Sequence, residues 1–132
     1  MKVLLIEDDP DVAETIISVL VSFYEGTKVE HIVDGEGFRK GSWREGGWDL
    51  VVLDLMMPGI TGFEVCEYLR SYPPTKLTPI LALTGYDTLQ NEERIKAAGA
   101  TGYLAKPFEV VQFNDEIKRI LKKKGDHGTK RS

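Results

Sequence analysis

Apolar positions in this chain fall into five short runs: VLLI at Val3–Ile6, VEHIV at Val29–Val33, LVVL at Leu50–Leu53, PILAL at Pro79–Leu83 and GYLA at Gly102–Ala105. Three of them are apolar almost throughout instead of alternating, the pattern of strands buried on both faces in a parallel sheet. The longer segments between them have helical period and start signals. Asp9 can cap a first helix with Pro10 at its first position, and Val12, Ile16, Val19, Leu20 and Phe23 then share one face. Asp34-Gly35 opens a second, less clearly marked helix that ends in GSWREGG. Thr61 and Glu64 have capping-box spacing ahead of Val65, Cys66 and Leu69, and Asp87 and Gln90 repeat it ahead of Ile95, Ala97 and Ala98. A last helix shows Val110, Phe113, Ile117, Ile120 and Leu121. Pro73-Pro74 stops the third helix near Tyr72, and Gly99 stops the fourth.

Strand and helix therefore alternate five times. This predicts an α/β fold, a doubly wound five-stranded parallel sheet with helices on both faces. Such sheets bind ligands outside the carboxyl ends of their strands. Two of the runs finish there on acids: Val3–Ile6 leads into Glu7, Asp8 and Asp9, and Leu50–Leu53 leads into Asp54.

Composition narrows the class without changing the fold. At 132 residues, with 42% hydrophobic and 29% charged, the chain fits one ordinary globular domain. We expect that domain at residues 1–124, with a polar, basic tail at 125–132 that reads as the start of a linker. No apolar run approaches the ~20 residues of a membrane span. The N-terminus lacks a signal-peptide shape, and the lone Cys66 has no partner for an internal disulfide. A cytoplasmic protein is expected. The net charge of −4 hides an asymmetry: Lys118–Ser132 holds seven of the 17 basic residues and one of the 21 acids, so Met1–Ile117 stands at −10. That body is a poor surface for nucleic acid or membrane. The basic tail hints at nucleic-acid contact, but a solvated helix end explains it more simply.

Converging carboxylates need a cation, and oxygen ligands of this kind suit Mg²⁺, which keeps several waters and is usually completed by a phosphate oxygen. Two further runs end on residues that suit phosphate: Thr84 after LAL offers a hydroxyl, and Lys106 after YLA offers a positive charge. Together these describe a phosphoryl-transfer site in which a carboxylate can act as nucleophile. Each residue has a plainer explanation alone. Asp9 reads as a cap, Asp8 as a loop acid, Thr84 as a turn residue, Lys106 as a surface lysine, and Met56 and Met57 as packing. His31 reads as a strand residue, and Cys66 as core. Their coincidence at four of five strand ends is what a plain reading does not explain.

At this point LLIEDDP, DLVVLDLMMPGITGFEV, PILALTGYD and AGATGYLAKPFE, in that order, resemble the receiver domain of two-component response regulators. The resemblance spans Lys2 to about Leu121. It implies the strand order 2-1-3-4-5 of a flavodoxin-like sheet. It implies Asp54 as the phosphorylated residue, Asp8 as a direct metal ligand, Glu7 acting through water, and the Met56 backbone carbonyl as a further ligand. The implied ion is Mg²⁺, with Mn²⁺ able to replace it. Thr84 and Tyr103 match the switch pair, Lys106 matches the lysine of a KPF motif, and the Lys106–Pro107 bond is expected to be cis. The implied donor is a sensor histidine kinase or phosphotransfer protein. The implied target is a downstream effector or fused output domain, reached through the face of the fourth helix, fifth strand and fifth helix. A homodimer on phosphorylation is a further expectation. The domain signals; its catalysis is limited to slow self-phosphorylation and autodephosphorylation.

Departures are mild: Gly85 stands where the family more often has alanine, and RKGSWREGGW is an unusual end to the second helix. A haloacid-dehalogenase-type phosphatase would need an acid at Met56. A flavodoxin-like cofactor module would need a phosphate loop where Glu7, Asp8 and Asp9 stand. A receiver that no longer accepts phosphate would not need the full acid, threonine and lysine set. On the first helix, Ala13, Ile17, Val21 and Tyr24 fall beside the core-facing arc. Ile17 and Val21 are candidates for kinase docking, the alternative being that this arc packs under the last helix.

Overall fold

The structure is a computed structural model that describes the chain except residues 86–88 and 130–132, and leaves out the side chains of residues 89, 90 and 123–129. The chain runs β1 (Lys2–Ile6), α1 (Pro10–Phe23), β2 (Lys28–Ile32), α2 (Gly35–Lys40), a 3-10 turn (Ser42–Glu45) and β3 (Leu50–Asp54). A two-strand ribbon of β4 (Met56–Met57) and β5 (Ile60–Thr61) follows, then α3 (Gly62–Ser71), a 3-10 turn (Pro73–Thr75), β6 (Ile80–Thr84), α4 (Leu89–Ala98), β7 (Gly102–Ala105) and α5 (Val110–Thr129). The main sheet is parallel with order β2-β1-β3-β6-β7, which is 2-1-3-4-5 once the ribbon is set aside.

Strand side chains alternate between two cores. Val3, Leu5, Leu50, Val52, Leu81 and Leu83 pack against α1 and α5. On the opposite face, Leu4, Ile6, Val51, Leu53 and Ile80 pack against Val65, Cys66 and Leu69 of α3 and against Phe38, Trp43 and Trp48. A smaller cluster of Leu55, Ala82 and Ile95 seats α4 on that same side. Every side chain of β3 and β6 is buried, which accounts for the uninterrupted apolar runs.

Caps set the helix starts. Asp9 accepts from the Asp11 and Val12 amides, Asp34 from Gly37, and Thr61 from Glu64. The Glu64 carboxylate accepts from the Thr61 hydroxyl at 3.2 Å, where a full capping box would reach a backbone amide. The expected Asp87–Gln90 cap lies outside the described residues.

The α1 face differs from its periodicity. Phe23, expected in the core, is 56% exposed, while Ala13 is buried and Ile17 and Tyr24 pack against the α1–α5 core. A 14-residue helix is about 21 Å long and lies on strands of about 17 Å, so its last residue overhangs the sheet. Of the neighbouring arc, Ala13, Ile17 and Tyr24 thus join the core that includes α5 residues, while Val21 stays exposed. The same effect at helix ends exposes Val110 and Ala97, while Val12, Ala98 and Leu121 are only half-buried. α5 continues to Thr129, beyond residue 124.

The second helix is only six residues long. Gly41, at φ +82°, turns the chain out of it, and Trp43 then stacks on Phe38 with ring centroids 4.8 Å apart. Trp43 donates to the Phe38 carbonyl and Trp48 to the Trp43 carbonyl, each at 2.8 Å. The unusual GSWREGGW segment is thus a plug of indoles that covers the sheet where further helical turns would lie.

Candidate functional site

Glu7 follows β1, Asp54 ends β3, Thr84 ends β6 and Lys106 follows β7, so sheet register brings four strand ends to one edge. Glu7, Asp54 and Thr84 are buried, and Asp8 is exposed. The Glu7 carboxylate accepts the Asp9 amide through Oε2 at 3.1 Å and meets the Lys106 ammonium through Oε1 at 2.8 Å. Asp54 accepts the Met56 amide through Oδ1 at 3.0 Å, and its Oδ2 lies 3.3 Å from the Lys106 Nζ. The Lys106 amide donates to the Thr84 carbonyl at 2.6 Å, and the Lys106–Pro107 peptide bond is cis.

Carboxylate oxygens of Glu7, Asp8 and Asp54 lie within 4.8 Å of one another. Burial raises the Asp54 pKa, and Glu7 raises it further against the pull of the Met56 amide. Burial also raises that of Asp8, with Asp54 adding to it. Burial works against the Lys106 ammonium, but Glu7 and Asp54 outweigh it and hold its pKa above the ordinary value. Three acids against one lysine leave a formal excess of two negative charges. That excess, presented by hard oxygen donors, fits a divalent cation.

Local structure fixes the acids. A Cβ on Gly62 would stand 2.4 Å from the Leu55 Cα and 2.6 Å from the Asp54 carbonyl oxygen, so only glycine lets α3 start directly against the strand end. His31 places Nε2 2.7 Å from the Glu7 carbonyl and so supports the peptide that carries Glu7. Neither role was visible in the sequence. For His31 the only clue is its place in the β2 run, which pairs it with Leu5.

Of the other expected residues, some lie beside this centre and some away from it. Met56 contributes its amide there, and its side chain is exposed. Tyr103 stands opposite Ala82 on β7 and packs with Leu55 and Ile95. Ile17 and Val21 lie well down α1 from the site; Val21 is 51% exposed, and Ile17 is largely taken up by the core.

Comparison with known proteins decides the family. The family model for the response regulator receiver domain matches residues 3–118. The chain belongs to that family. Relatives of this receiver include the transcriptional regulatory protein CiaR of Streptococcus pneumoniae, 34% identical across 95% of this chain and 53% of CiaR. The phosphate regulon transcriptional regulatory protein PhoB of Rhizobium meliloti is 33% identical across 92% of this chain and 52% of its own. The receiver spans about half the length of these relatives. Among solved structures, the chemotaxis response regulator CheY4 of Vibrio cholerae superposes with a TM-score of 0.80 at 32% identity, covering 90% of this chain and 97% of CheY4. The receiver domain of sensor histidine kinase PA1611 from Pseudomonas aeruginosa, solved with magnesium in its active-site cleft, gives 0.78 at 28% identity, covering 91% of this chain and 96% of that one. Among the described residues, no helix is long and apolar enough to cross a membrane.

Proposed function

We propose that this receiver takes a phosphoryl group onto Asp54 from the phosphohistidine of a sensor kinase or phosphotransfer protein in the cytoplasm, and so controls an effector or output domain. The observation that carries the reading is the buried Asp54 carboxylate with one oxygen 3.3 Å from Lys106, beside Glu7 and Asp8. An Asp54 oxygen attacks phosphorus, a P–O bond forms, and the P–N bond breaks with its electrons returning to the imidazole. Lys106 neutralises phosphoryl oxygens, and Thr84 donates a hydrogen bond to one of them. Glu7, Asp8, Asp54 and the Met56 carbonyl would hold Mg²⁺, which supplies charge neutralisation and orientation to the phosphoryl group. Water later attacks phosphorus, the P–O bond to Asp54 breaks with its electrons returning to the carboxylate, and inorganic phosphate leaves, in a slow step. As Thr84 moves toward the phosphoryl group, Tyr103 turns inward and the face of α4, β7 and α5 changes, a population shift between two states. Val21, with Ile17 beneath it, is the point on α1 that meets the kinase.

Intact-mass measurement after incubation with Mg²⁺ and a small acyl phosphate tests the assignment. Wild type gains one phosphoryl group and Asp54→Asn gains none; equal labelling of the variant removes Asp54 from the role.

A further inference from the structure

β1 ends at Ile6, but β2 holds the residue after it as well. The Glu7 amide donates to the Ile32 carbonyl at 3.0 Å, one more rung of the parallel ladder. The rung after that would bring a backbone donor from the β2 side to the Glu7 carbonyl. By then the chain has turned away, because Asp34 caps α2 through the Gly37 amide. A side chain supplies the donor instead. His31, half-buried on β2 and paired with Leu5, places Nε2 2.7 Å from the Glu7 carbonyl oxygen. A carbonyl oxygen only accepts, so Nε2 carries the hydrogen of this bond.

The Glu7 carbonyl and the Asp8 amide belong to one planar peptide group. Fixing the oxygen therefore fixes the plane from which both acids project. The Glu7 carboxylate has further ties, to the Asp9 amide at 3.1 Å and to Lys106 at 2.8 Å. Asp8 is exposed, and its carboxylate lies near those of Glu7 and Asp54, which repel it. Its aim depends on the peptide plane behind it. We propose that His31 is a positioning residue that locks the Glu7–Asp8 peptide and so holds the acidic pair ready for a divalent cation. The proposal rests on the reading of Glu7 and Asp8 as residues that hold metal. His31 touches no ion in this account; it acts through the backbone. Acids already aimed lose less freedom when a cation binds. Loss of this one hydrogen bond is expected to weaken Mg²⁺ binding about three- to tenfold.

Two substitutions separate the donor from the bulk of the ring. His31→Leu fills much of the space and donates nothing, while His31→Gln keeps an N–H at a similar reach. Each protein, freed of metal, is titrated with Mg²⁺ alone in a calorimeter. His31→Leu should bind about three- to tenfold more weakly than wild type, and His31→Gln within about twofold of it. A residue that served stability alone would lower the melting temperature in chelator and leave the Mg²⁺ affinity unchanged. A leucine variant that binds as tightly as wild type overturns the proposal, and so does a glutamine variant that binds as weakly as leucine. A second measurement needs no metal. In chelator, the carbonyl ¹³C of Glu7 and the amide ¹⁵N of Asp8 are compared between the two variants. Both lack the imidazole, so a difference there reports the donor and not the ring. Identical signals refute the contact. If wild type binds no Mg²⁺, the metal reading falls instead, and these spectra alone decide whether His31 holds the Glu7–Asp8 peptide.

Discussion

Val21 and Ile17 lie one helical turn apart on α1, but only Val21 gives its side chain to solvent; Ile17 packs with the residues that face α5. Periodicity alone treats the two alike, since it gives a direction around the helix axis and not the neighbour found there. Val21 is 51% exposed near the C-terminal end of α1, while Phe23, two residues on, points to another side of the helix. A kinase bundle docking on the Val21 side would feel a charge placed there, while the fold would not. Val21→Glu is therefore expected to slow transfer from the cognate kinase several-fold. Labelling by a small phosphodonor and the melting temperature should stay near wild type. If both routes slow together, or the variant unfolds, Val21 is a structural residue and the docking assignment is lost. Ile17→Glu, by contrast, should destabilise outright, since it forces a charge against the core.

Among the elements, α3 carries a contact that no sequence pattern announces. The Arg70 guanidinium donates to the carbonyls of Gly99 (2.8 Å), Thr75 (3.2 Å), Lys76 (3.1 Å) and Thr78 (2.7 Å). One side chain thus satisfies the end of α4 and the turn that leads into β6. Removing it leaves partly buried carbonyls without a donor, so Arg70→Ala should cost about 2–3 kcal/mol. Arg70→Lys should recover less than half, because a single ammonium cannot span donors spread around a planar fork. Urea unfolding of the three proteins measures this, and a lysine variant as stable as wild type would show that charge alone suffices. The contrast with the rest of the fold is informative. Strands were legible because burial on both faces leaves an unbroken apolar run, and the acidic strand ends were legible because acids rarely follow such runs by accident. The indole plug was not: Trp43 and Trp48 sit in a glycine-rich stretch with no period, and the rings that Trp43 meets, Phe38 and Tyr72, belong to α2 and to the end of α3. Phe23, Ala97 and Val110 carried the right period at helix positions that their neighbours leave uncovered.

Taken as a whole, the molecule gathers three carboxylates at one sheet edge. Burial and mutual repulsion raise the pKa values of Asp54 and Asp8, so the metal-free fold is destabilised by keeping both ionised. A cation bound only by the folded state relieves this. At ten times its dissociation constant it adds about 1.4 kcal/mol, which corresponds to a rise of several degrees in melting temperature. Calorimetry in Mg²⁺ against chelator should show that rise in wild type and lose it in Asp8→Ala. A wild-type melting temperature indifferent to Mg²⁺ would mean that the three acids form no preorganised site. The Lys106 bridge has a consequence in time as well as in energy. It joins Glu7 and Asp54 to a residue made roughly a hundred positions after the first of them, and β7 reaches the sheet only through β6. During synthesis the acids emerge long before their counter-charge. A nascent or truncated chain therefore holds the acidic cluster without the ammonium that pairs with it, and if Asp54 is the phosphoacceptor, its site is complete only once the last strand has joined the sheet.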